Sequence, residues 1–346
     1  MKRITLVAAA ACTTLLAACS TGPTDSAESS GTSSSTSNNA ASGAFPVSIK
    51  TALGTATIKN APQRVAVVGW SDQDFALSLG VAPVGVPEIS WGGNDKKSTD
   101  WYDAALTKMG GAQPTRYSDA DGTPVDKIAA LKPDLILATN SGMTQAEYDK
   151  LSKLAPVVAY PGAPWGTSWQ QSLELIGKAL GKSDDAAKLK TQTENQIKTA
   201  AAKYPALKDK SVAWAWFTPT DLSKVSFYTE QDNRPRMLKE LGMKTPDFVQ
   251  TLSKKQPNMF SVDVSAENAS TADSDLLIFY VENQAQVAEL KKNALVAKIP
   301  ALAKGNYLAS TDNVAAMPMS SPTTLSIPTA LEKFLPQLAA VAAKAK

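Results

Sequence analysis

The chain of 346 residues contains 35 lysines and arginines against 32 aspartates and glutamates, with two cysteines and no histidine. The lack of histidine excludes histidine-ligated metal and haem sites, and catalytic triads in their usual forms. The near balance of charge gives no reason to expect nucleic acid as a partner. No carboxylate is paired with a base, a nucleophile or a metal-ligand set, and no glycine-rich phosphate loop occurs. We therefore predict a protein that is not an enzyme and has no cofactor or metal of its own.

The N-terminal segment has the pattern of a lipoprotein signal peptide. Two basic residues precede an apolar run that ends at Ala18 and is too short to span a membrane as a mature helix. The small residues just before Cys19 suit cleavage followed by attachment of lipid to the thiol. An ordinary secretory signal is the alternative. We predict a signal peptide over 1–18, lipidation at Cys19, and a mature protein outside the cytoplasmic membrane, anchored to it by lipid.

Residues 19–43 are rich in serine, threonine, glycine, alanine and asparagine, with almost no large apolar side chains. Such a segment buries too little surface to offset its ordering entropy, so we predict a lipidated flexible tether. With Cys12 lost in the signal and Cys19 lipidated, the mature fold has no disulfide. The remaining residues, 44–346, are numerous enough for two domains.

From residue 44 the chain alternates short buried strands with helices. Strands are predicted at 64–69, 81–86, 135–138 and 156–160, and helices at 72–79, 125–131 and 144–154. Ser71 is the predicted cap of the first helix. This alternation predicts a parallel α/β sheet, in an N-terminal lobe over 44–182. The pattern restarts with strands at 211–217, 224–229, 276–281 and 306–309, which predicts a second α/β lobe over 205–346 whose last helix covers about 328–344.

A long amphipathic helix is predicted between the two lobes, at 183–204. Ser183 is its predicted cap, and Asp184 and Asp185 lie in its first turn. One stripe is formed by Ala186, Leu189, Thr193, Ile197, Ala200 and Tyr204. At 1.5 Å per residue the helix would be roughly 33 Å long, enough to connect two lobes. A crossover helix inside one lobe fits the pattern equally well.

Several stretches resemble the iron-siderophore substrate-binding lipoproteins of bacterial ABC importers. "ALKPDLIL" at 130–137 and "SAEN" at 265–268 occur in the order typical of this class. The resemblance implies two Rossmann-like α/β lobes joined by a single long interlobe helix, with the ligand in the cleft between them. It also implies that the ligand is a ferric siderophore complex. The matching stretches are 54–86, 125–160, 172–182, 226–243 and 264–280.

The same resemblance implies docking to a permease through one acidic residue on each lobe. The matching positions are Asp126, where glutamate is more usual, and Glu267. Surface carboxylates that face permease arginines would steer the encounter and fix its orientation. Both residues also suit a helix start, where the helix dipole favours acids without any partner.

Two arginines stand out beside an aromatic run. Outside the signal, arginine occurs only at positions 64, 116, 234 and 236, so two within three residues are notable. The guanidinium fork pairs with oxygen anions and stacks on rings, which suits an oxygen-rich iron centre inside an organic shell. We expect Arg234 or Arg236 to contact the ligand. The alternative is that either one pairs locally at the start of the following helix.

Aromatic residues that follow strands are good candidates for ligand contact, because open α/β sheets bind ligands beyond the carboxyl ends of their strands. Trp91 and Trp101 lie in the loop between 87 and 124, where exposed rings suit either a site or the pinning of the loop. Trp214 and Trp216 share parity on a predicted central strand, where burial explains them equally well. The predicted aromatic contacts are Tyr228, Trp70, Trp165 and Trp101.

These observations predict a monomeric extracytoplasmic binding lipoprotein that captures a ferric siderophore and delivers it to an ABC importer permease. The same fold class also carries cobalamin and haem. A cell-envelope scaffold or receptor that uses the fold without transport is the other alternative. An extracellular hydrolase is disfavoured by the lack of histidine. A helical strut resists hinge motion, so ligand binding should cause only small closing movements.

Overall fold

The computed structural model describes residues 44–345, so the predicted signal peptide, Cys19 and the tether lie outside the described residues. The strands are β1 (Val47–Lys50), β2 (Thr55–Ile58), β3 (Val65–Val67), β4 (Gly85–Pro87), β5 (Thr115–Tyr117), β6 (Leu135–Ala138), β7 (Val157–Ala159), β8 (Val212–Thr218), β9 (Asp221–Tyr228), β10 (Ser261–Ser265), β11 (Leu276–Tyr280) and β12 (Tyr307–Ser310). The larger helices of the first part are α1 (Asp72–Ser78), α2 (Asp100–Met109), α3 (Val125–Ala130), α4 (Gln145–Leu151), α5 (Trp169–Ala179) and α6 (Ser183–Ala201). Those that follow are α7 (Asn233–Glu240), α8 (Asp247–Lys255), α9 (Gln284–Lys292), α10 (Pro300–Lys304), α11 (Asn313–Ser320), α12 (Ile327–Thr329) and α13 (Leu335–Ala342).

The first lobe is built on a parallel sheet, as its strand and helix alternation predicts. Its strand order is β5-β4-β3-β6-β7, and every pair is parallel. Strands β3, β4, β6 and β7 are buried along their whole length, because helices cover both faces. The strand predicted at 81–86 begins only at Gly85. Strands β1 and β2 form a separate antiparallel pair.

The second lobe has a mixed sheet, in the order β10-β9-β8-β11-β12. Strands β8, β11 and β12 are parallel, but β9 runs antiparallel to β8, and β10 antiparallel to β9. The strand predicted at 224–229 therefore does not continue the parallel repeat. Only Pro219 and Thr220 separate β8 from β9, which is enough for a hairpin and far too little for a crossover connection.

Helix α6 connects the two lobes, which confirms the predicted interlobe helix. It has 19 residues and is thus roughly 28 Å long. Ala186, Thr193 and Ile197 are buried on the predicted stripe. The predicted cap is wrong, because Ser183 lies inside the helix and the preceding Lys182 makes no side-chain cap. Asp184 and Asp185 do occupy the first turn.

The chain returns to the first lobe near its end. Ser321 Oγ lies 2.7 Å from Ser71 Oγ, and Thr323 Oγ1 donates to Asp74 Oδ2 at 2.8 Å. A single hydrophobic cluster also runs through both sheets, α6 and α13. The predicted capping role of Ser71 is wrong, since its left-handed backbone (φ 75°) precedes α1 without a side-chain cap. The lobes are thus joined by this return segment, residues 321–323, as well as by α6.

The described helices leave no candidate for a membrane span. Within residues 44–345, no helix combines the length and the apolar character that crossing a bilayer requires.

Candidate ligand-binding site

Two adjoining cavities lie in the cleft between the lobes. The larger has a volume of about 400 Å³ and the smaller about 200 Å³. The larger is lined by Trp70, Trp91, Trp216, Tyr228, Arg234, Phe260 and Tyr280. The smaller is lined by Trp70, Asn140, Trp165, Tyr228, Asp232, Asn233, Arg234, Phe260 and Ser320. The cleft is therefore an aromatic chamber with a few polar groups, the usual character of a site for an organic ligand.

One face of the second sheet forms a wall of the cleft. Trp214 and Trp216 are two residues apart on β8, and Ile278 pairs with Trp214, so Tyr280 shares their face. Trp214 is buried and stacks on Phe334, with centroids 5.4 Å apart. Trp216, two residues before the end of the strand, is 50% exposed. The same parity thus gives one core ring and one ring open to the cleft.

Rings from the first lobe meet this wall. Trp70 follows β3, and its ring centroid lies 6.3 Å from that of Trp91. Trp91 contacts Tyr280 edge to face, at 5.2 Å and 85°. Such tilted and edge-to-face pairs are the favoured aromatic geometries. The rings therefore form a continuous row from one lobe to the other.

Arg234 is held at the base of the cleft by three partners. Its Nη1 donates to both carboxylate oxygens of Asp232, at 2.8 and 3.0 Å, and its Nε donates to the Tyr280 hydroxyl at 2.8 Å. The guanidinium carbon lies 3.9 Å from the centroid of the Tyr228 ring. Asp232 also caps α7, where Oδ1 accepts from the Arg234 backbone N–H at 2.8 Å. The short loop before α7 thus fixes the arginine in one orientation.

The free edge of this guanidinium is Nη2. No described residue accepts a hydrogen bond from Nη2, whereas Nε and Nη1 are engaged. Burial alone would lower the pKa of Arg234, but the Asp232 carboxylate and the neighbouring tyrosines hold that pKa above its ordinary value. Arg234 is therefore charged, rigid and able to donate into the cavities that it lines.

Residues 65–313 match the sequence model of the periplasmic binding protein family. The chain belongs to this family. The match confirms the resemblance predicted from the motifs, and the fold of a periplasmic binding protein accounts for the two lobes and the cleft.

Two curated relatives and one crystal structure illustrate the similarity. The "Probable siderophore-binding lipoprotein YfiY" of Bacillus subtilis is 28% identical over 75% of this chain and 78% of its own. The ferric enterobactin-binding periplasmic protein FepB of Escherichia coli O6:H1 is 24% identical over 75% of this chain and 81% of its own. The crystal structure of PiaA from Streptococcus pneumoniae in complex with ferrichrome is 32% identical, with a TM-score of 0.80, over 86% of this chain and 99% of that one.

The structure of this periplasmic binding protein places Tyr228, Trp70 and Trp165 at the cleft, where they were predicted. For Tyr228 the reason differs from the one predicted, because β9 is antiparallel and the residue is not at a carboxyl end of the parallel set. Trp165 has a left-handed backbone (φ 59°), and a Cβ on Gly142 would lie 2.6 Å from its Nε1. Gly142 therefore leaves the room that the Trp165 indole occupies.

The structure does not bring Arg236 to the cleft. Its Nη1 donates to the Gly166 carbonyl at 2.8 Å, its Nε to the Glu230 carbonyl at 3.1 Å, and its Nη2 to Gln231 Oε1 at 3.2 Å. With every nitrogen engaged, Arg236 connects the start of α7 to the first lobe. The local pairing that the sequence left open is the role observed for it.

Trp101 also lies away from the cleft cavities. Its Nε1 donates to Asp74 Oδ2 at 2.9 Å, and its ring packs beside buried Leu77 and Leu106. Trp101 lies in α2 and not in the predicted loop, and it fixes α2 against α1. The ring that does reach the cleft from this segment is Trp91.

Several cleft residues escaped the sequence prediction, among them Asp232, Asn233 and Ser320. Tyr280 is the last residue of β11, and Asn140 follows the end of β6. Both could have been predicted, because open α/β sheets bind ligands beyond the carboxyl ends of their strands. The alternation of side chains along β8 could not show whether Trp216 is buried or exposed. Phe260 precedes β10, a strand that was not predicted.

Two buried acceptors add polar character to the smaller cavity. The Oδ1 atoms of Asn140 and Asn233 have no hydrogen-bond donor among the described residues. Asn233 is oriented by its Nδ2, which donates to the Thr167 carbonyl at 3.1 Å. A buried unpaired acceptor is costly, so these amides suit a ligand or water that donates to them.

The two predicted docking acids lie on different lobes and are exposed. Asp126 is in the first turn of α3, and Glu267 is in a 3-10 helix, Ala266–Thr271, that follows β10. Neither forms a salt bridge with a described residue.

A larger cavity, of about 640 Å³, lies on the second lobe away from the cleft. Its lining is mostly polar, and Lys239 and Lys244 there pair with Glu230 and Asp209. Ser211 and Asp275, at the amino ends of β8 and β11, also line it. Internal ion pairing and the lack of an aromatic row make this cavity a poorer ligand site than the cleft.

Proposed function

We propose that this protein captures a ferric siderophore outside the cytoplasmic membrane and delivers it to the permease of an ABC importer, without catalysing a reaction. The observation that carries the proposal is the cleft itself, an aromatic row between the lobes with one fixed arginine whose Nη2 is free. The names of YfiY, FepB and the ferrichrome complex of PiaA support the same class of ligand.

Each part of the cleft would have a distinct task. The rings of Trp70, Trp91, Trp216 and Tyr280 would cover the organic shell of the chelate. Arg234 Nη2 would donate to oxygens bound to iron, the charge-assisted bond that suits an oxygen-rich metal centre. Asp232 and the Tyr280 hydroxyl would hold that donor in place before the ligand arrives.

Delivery would use the two exposed acids. Asp126 and Glu267 are on separate lobes, so both can contact one permease at once and orient the loaded protein. Lipid attached at Cys19 would anchor a monomeric protein to the membrane through a flexible tether, which keeps the cleft near the permease.

Tryptophan fluorescence tests the proposal, because three tryptophans line the larger cavity. The purified protein would be titrated with ferrichrome, ferric enterobactin, ferric citrate, haem and cobalamin. We expect saturable quenching by a ferric chelate. Arg234→Lys keeps the charge beside Asp232 but loses the fork, so it should weaken that binding about 10-fold.

Arg64→Lys is the matched control. Arg64 is exposed and donates to the carbonyls of Leu131 and Lys132. Neither of these residues lines the cleft cavities. It should leave the affinity unchanged. A folded wild-type protein that binds none of the ferric chelates, or that binds cobalamin or haem instead, would contradict the proposal.

A further inference from the structure

The charges in the cleft cancel each other. Of the described residues that line its two cavities, Asp232 and Arg234 carry charge, and the others are aromatic or neutral polar. Asp232 Oδ1 accepts from both the backbone N–H and Nη1 of Arg234, and Oδ2 accepts from Nη1. Both carboxylate oxygens act only as acceptors, as expected of an ionised group paired with its cation.

The residues that follow the parallel strands carry negative charge and no positive charge. Eight strands run parallel within the two sheets, namely β3 to β8, β11 and β12, whereas β9 and β10 are antiparallel. Within three residues after the ends of these strands, the sequence has no lysine or arginine. Carboxylates follow five of them, at Glu88, Asp119, Asp221, Glu282 and Asp312.

Ferric siderophores differ in net charge according to their donor groups. Three hydroxamates, each with one negative charge, neutralise Fe³⁺. Three catecholates, each with two, leave the complex with three negative charges, and citrate complexes are also anionic. A buried anion of this kind needs several cationic partners, because removing charge from water is costly unless it is paired.

We infer that the cleft selects a chelate with no net negative charge, of the ferric tris-hydroxamate type. The inference rests on the proposed function and adds the chemical class of the ligand. Arg234 already has its counter-ion in Asp232, so its Nη2 supplies one oriented hydrogen bond rather than a surplus charge. Asp232 is therefore a specificity residue, since it neutralises the one cation among the described residues that line the two cavities.

Wild-type protein provides the first test. Affinities for ferrichrome, a neutral tris-hydroxamate, and for ferric enterobactin, an anionic tris-catecholate, would be measured at about 0.05 and 0.5 M salt. We expect ferrichrome to bind at least about 100-fold more tightly, with little dependence on salt. Equal or tighter binding of ferric enterobactin or ferric citrate would overturn the inference and leave the proposed function intact. Failure of every ferric chelate would refute the proposed function itself.

Asp232→Asn provides the second test. Asparagine caps helices well, so α7 should persist, which circular dichroism can verify. The variant leaves Arg234 without its counter-ion, and we expect the preference for ferrichrome over ferric enterobactin to fall at least about 10-fold. Asp273→Asn makes the same charge change at an exposed residue outside the cleft and should keep the wild-type ratio. An unchanged ratio in a folded Asp232→Asn protein would refute the role given to Asp232.

Discussion

At the scale of single residues, the site depends on how Arg234 is oriented. The Tyr280 hydroxyl accepts from Arg234 Nε and lies 2.8 Å from Ser320 Oγ, while the Tyr280 ring contacts Trp91. The hydroxyl and the ring therefore have separate tasks. Removing the hydroxyl while keeping the ring therefore measures how much the orientation of Arg234 contributes to ligand binding.

Tyr280→Phe should weaken chelate binding several-fold and lower the free energy of unfolding by about 1 kcal/mol, because a buried Nε donor loses its acceptor. Ligand titration and urea unfolding measure the two effects. Tyr307→Phe, on the neighbouring strand β12, makes the same change away from the cleft and should leave binding as it is. Wild-type affinity in Tyr280→Phe would show that the hydroxyl does not orient the arginine.

A second residue-scale effect concerns Asp74, which is buried between α1 and the return segment. Burial raises its pKa to about 7, and the hydrogen bonds from Thr323 and Trp101 only partly oppose this. The ordinary value of 3.8 applies to the unfolded chain, so the folded state holds the proton more tightly. The contribution of Asp74 to stability is therefore fully present at low pH and is lost as pH rises from about 4 through 7. Burial raises the pKa of Asp72 to about 6, which acts in the same direction.

Asp74→Asn should therefore reduce the loss of thermal stability between pH 5 and 8, because asparagine has no proton to release. Melting temperatures at several pH values test this. Asp121→Asn, at an exposed loop position, should retain the wild-type dependence. A steeper decline in Asp74→Asn would show that the buried carboxylate is not the source.

The residue scale also shows what sequence can and cannot predict about the site. Two closely spaced arginines beside an aromatic run pointed to the segment from which Arg234 reaches the cleft. The choice between Arg234 and Arg236 depended on acceptors far away in sequence, such as the Gly166 carbonyl. Trp101 was misplaced for the same reason, because its partner Asp74 belongs to another helix.

At the scale of elements, the periodic pattern predicted strands and helices well but not strand direction. The stretch 224–229 appeared as the next strand of a parallel repeat, yet the two residues between β8 and β9 impose a hairpin. The antiparallel pairing of β10 with β9 brings Tyr228 and Phe260 next to each other at the cleft. The length of the loop between the two strands was the available signal for a hairpin. Strand β8 also extends one residue beyond its predicted end at 217.

The packing of α5 on α6 gives a prediction at this scale. A Cβ on Gly177 would lie only 2.5 Å from Ala186 Cβ, so the two helices touch at this glycine. Gly177→Ala should lower the free energy of unfolding by about 1–3 kcal/mol through overpacking, although alanine normally favours a helix. Chemical denaturation measures the change.

The double variant Gly177→Ala with Ala186→Gly restores the room between the helices. A double-mutant cycle should therefore show a favourable coupling energy between the two positions. Simple additivity, or a Gly177→Ala protein more stable than the wild type, would show that the close contact between α5 and α6 does not constrain the interlobe helix.

At the scale of the whole molecule, the lobes are held together at several places besides α6. Asn233 and Arg236 bond to the backbone of residues 166 and 167, and Trp169 Nε1 donates to Glu240 Oε1 at 3.1 Å. The return segment adds Ser321 and Thr323 against α1. We expect ligand binding to close the cleft by small shifts without a domain-scale rotation. Distances between spin labels on the two lobes test this, and a wide closure would contradict it.

Docking is the other prediction at this scale. Glu267→Lys should abolish siderophore-dependent uptake in cells while the purified variant still binds its chelate, because the carboxylate would face permease arginines. Glu332→Lys is an exposed control on the C-terminal helical segment and should support normal uptake. Normal uptake with Glu267→Lys would remove the evidence for this docking site.

The most direct test of the account is a crystal structure with a ferric chelate, with the iron located by its anomalous scattering. We predict one iron site between the aromatic row and Arg234, with Nη2 within hydrogen-bond distance of an oxygen bound to iron. Iron in the polar cavity around Ser211 and Asp275, or in the cleft with Nη2 facing away from the chelate, would contradict the central claim.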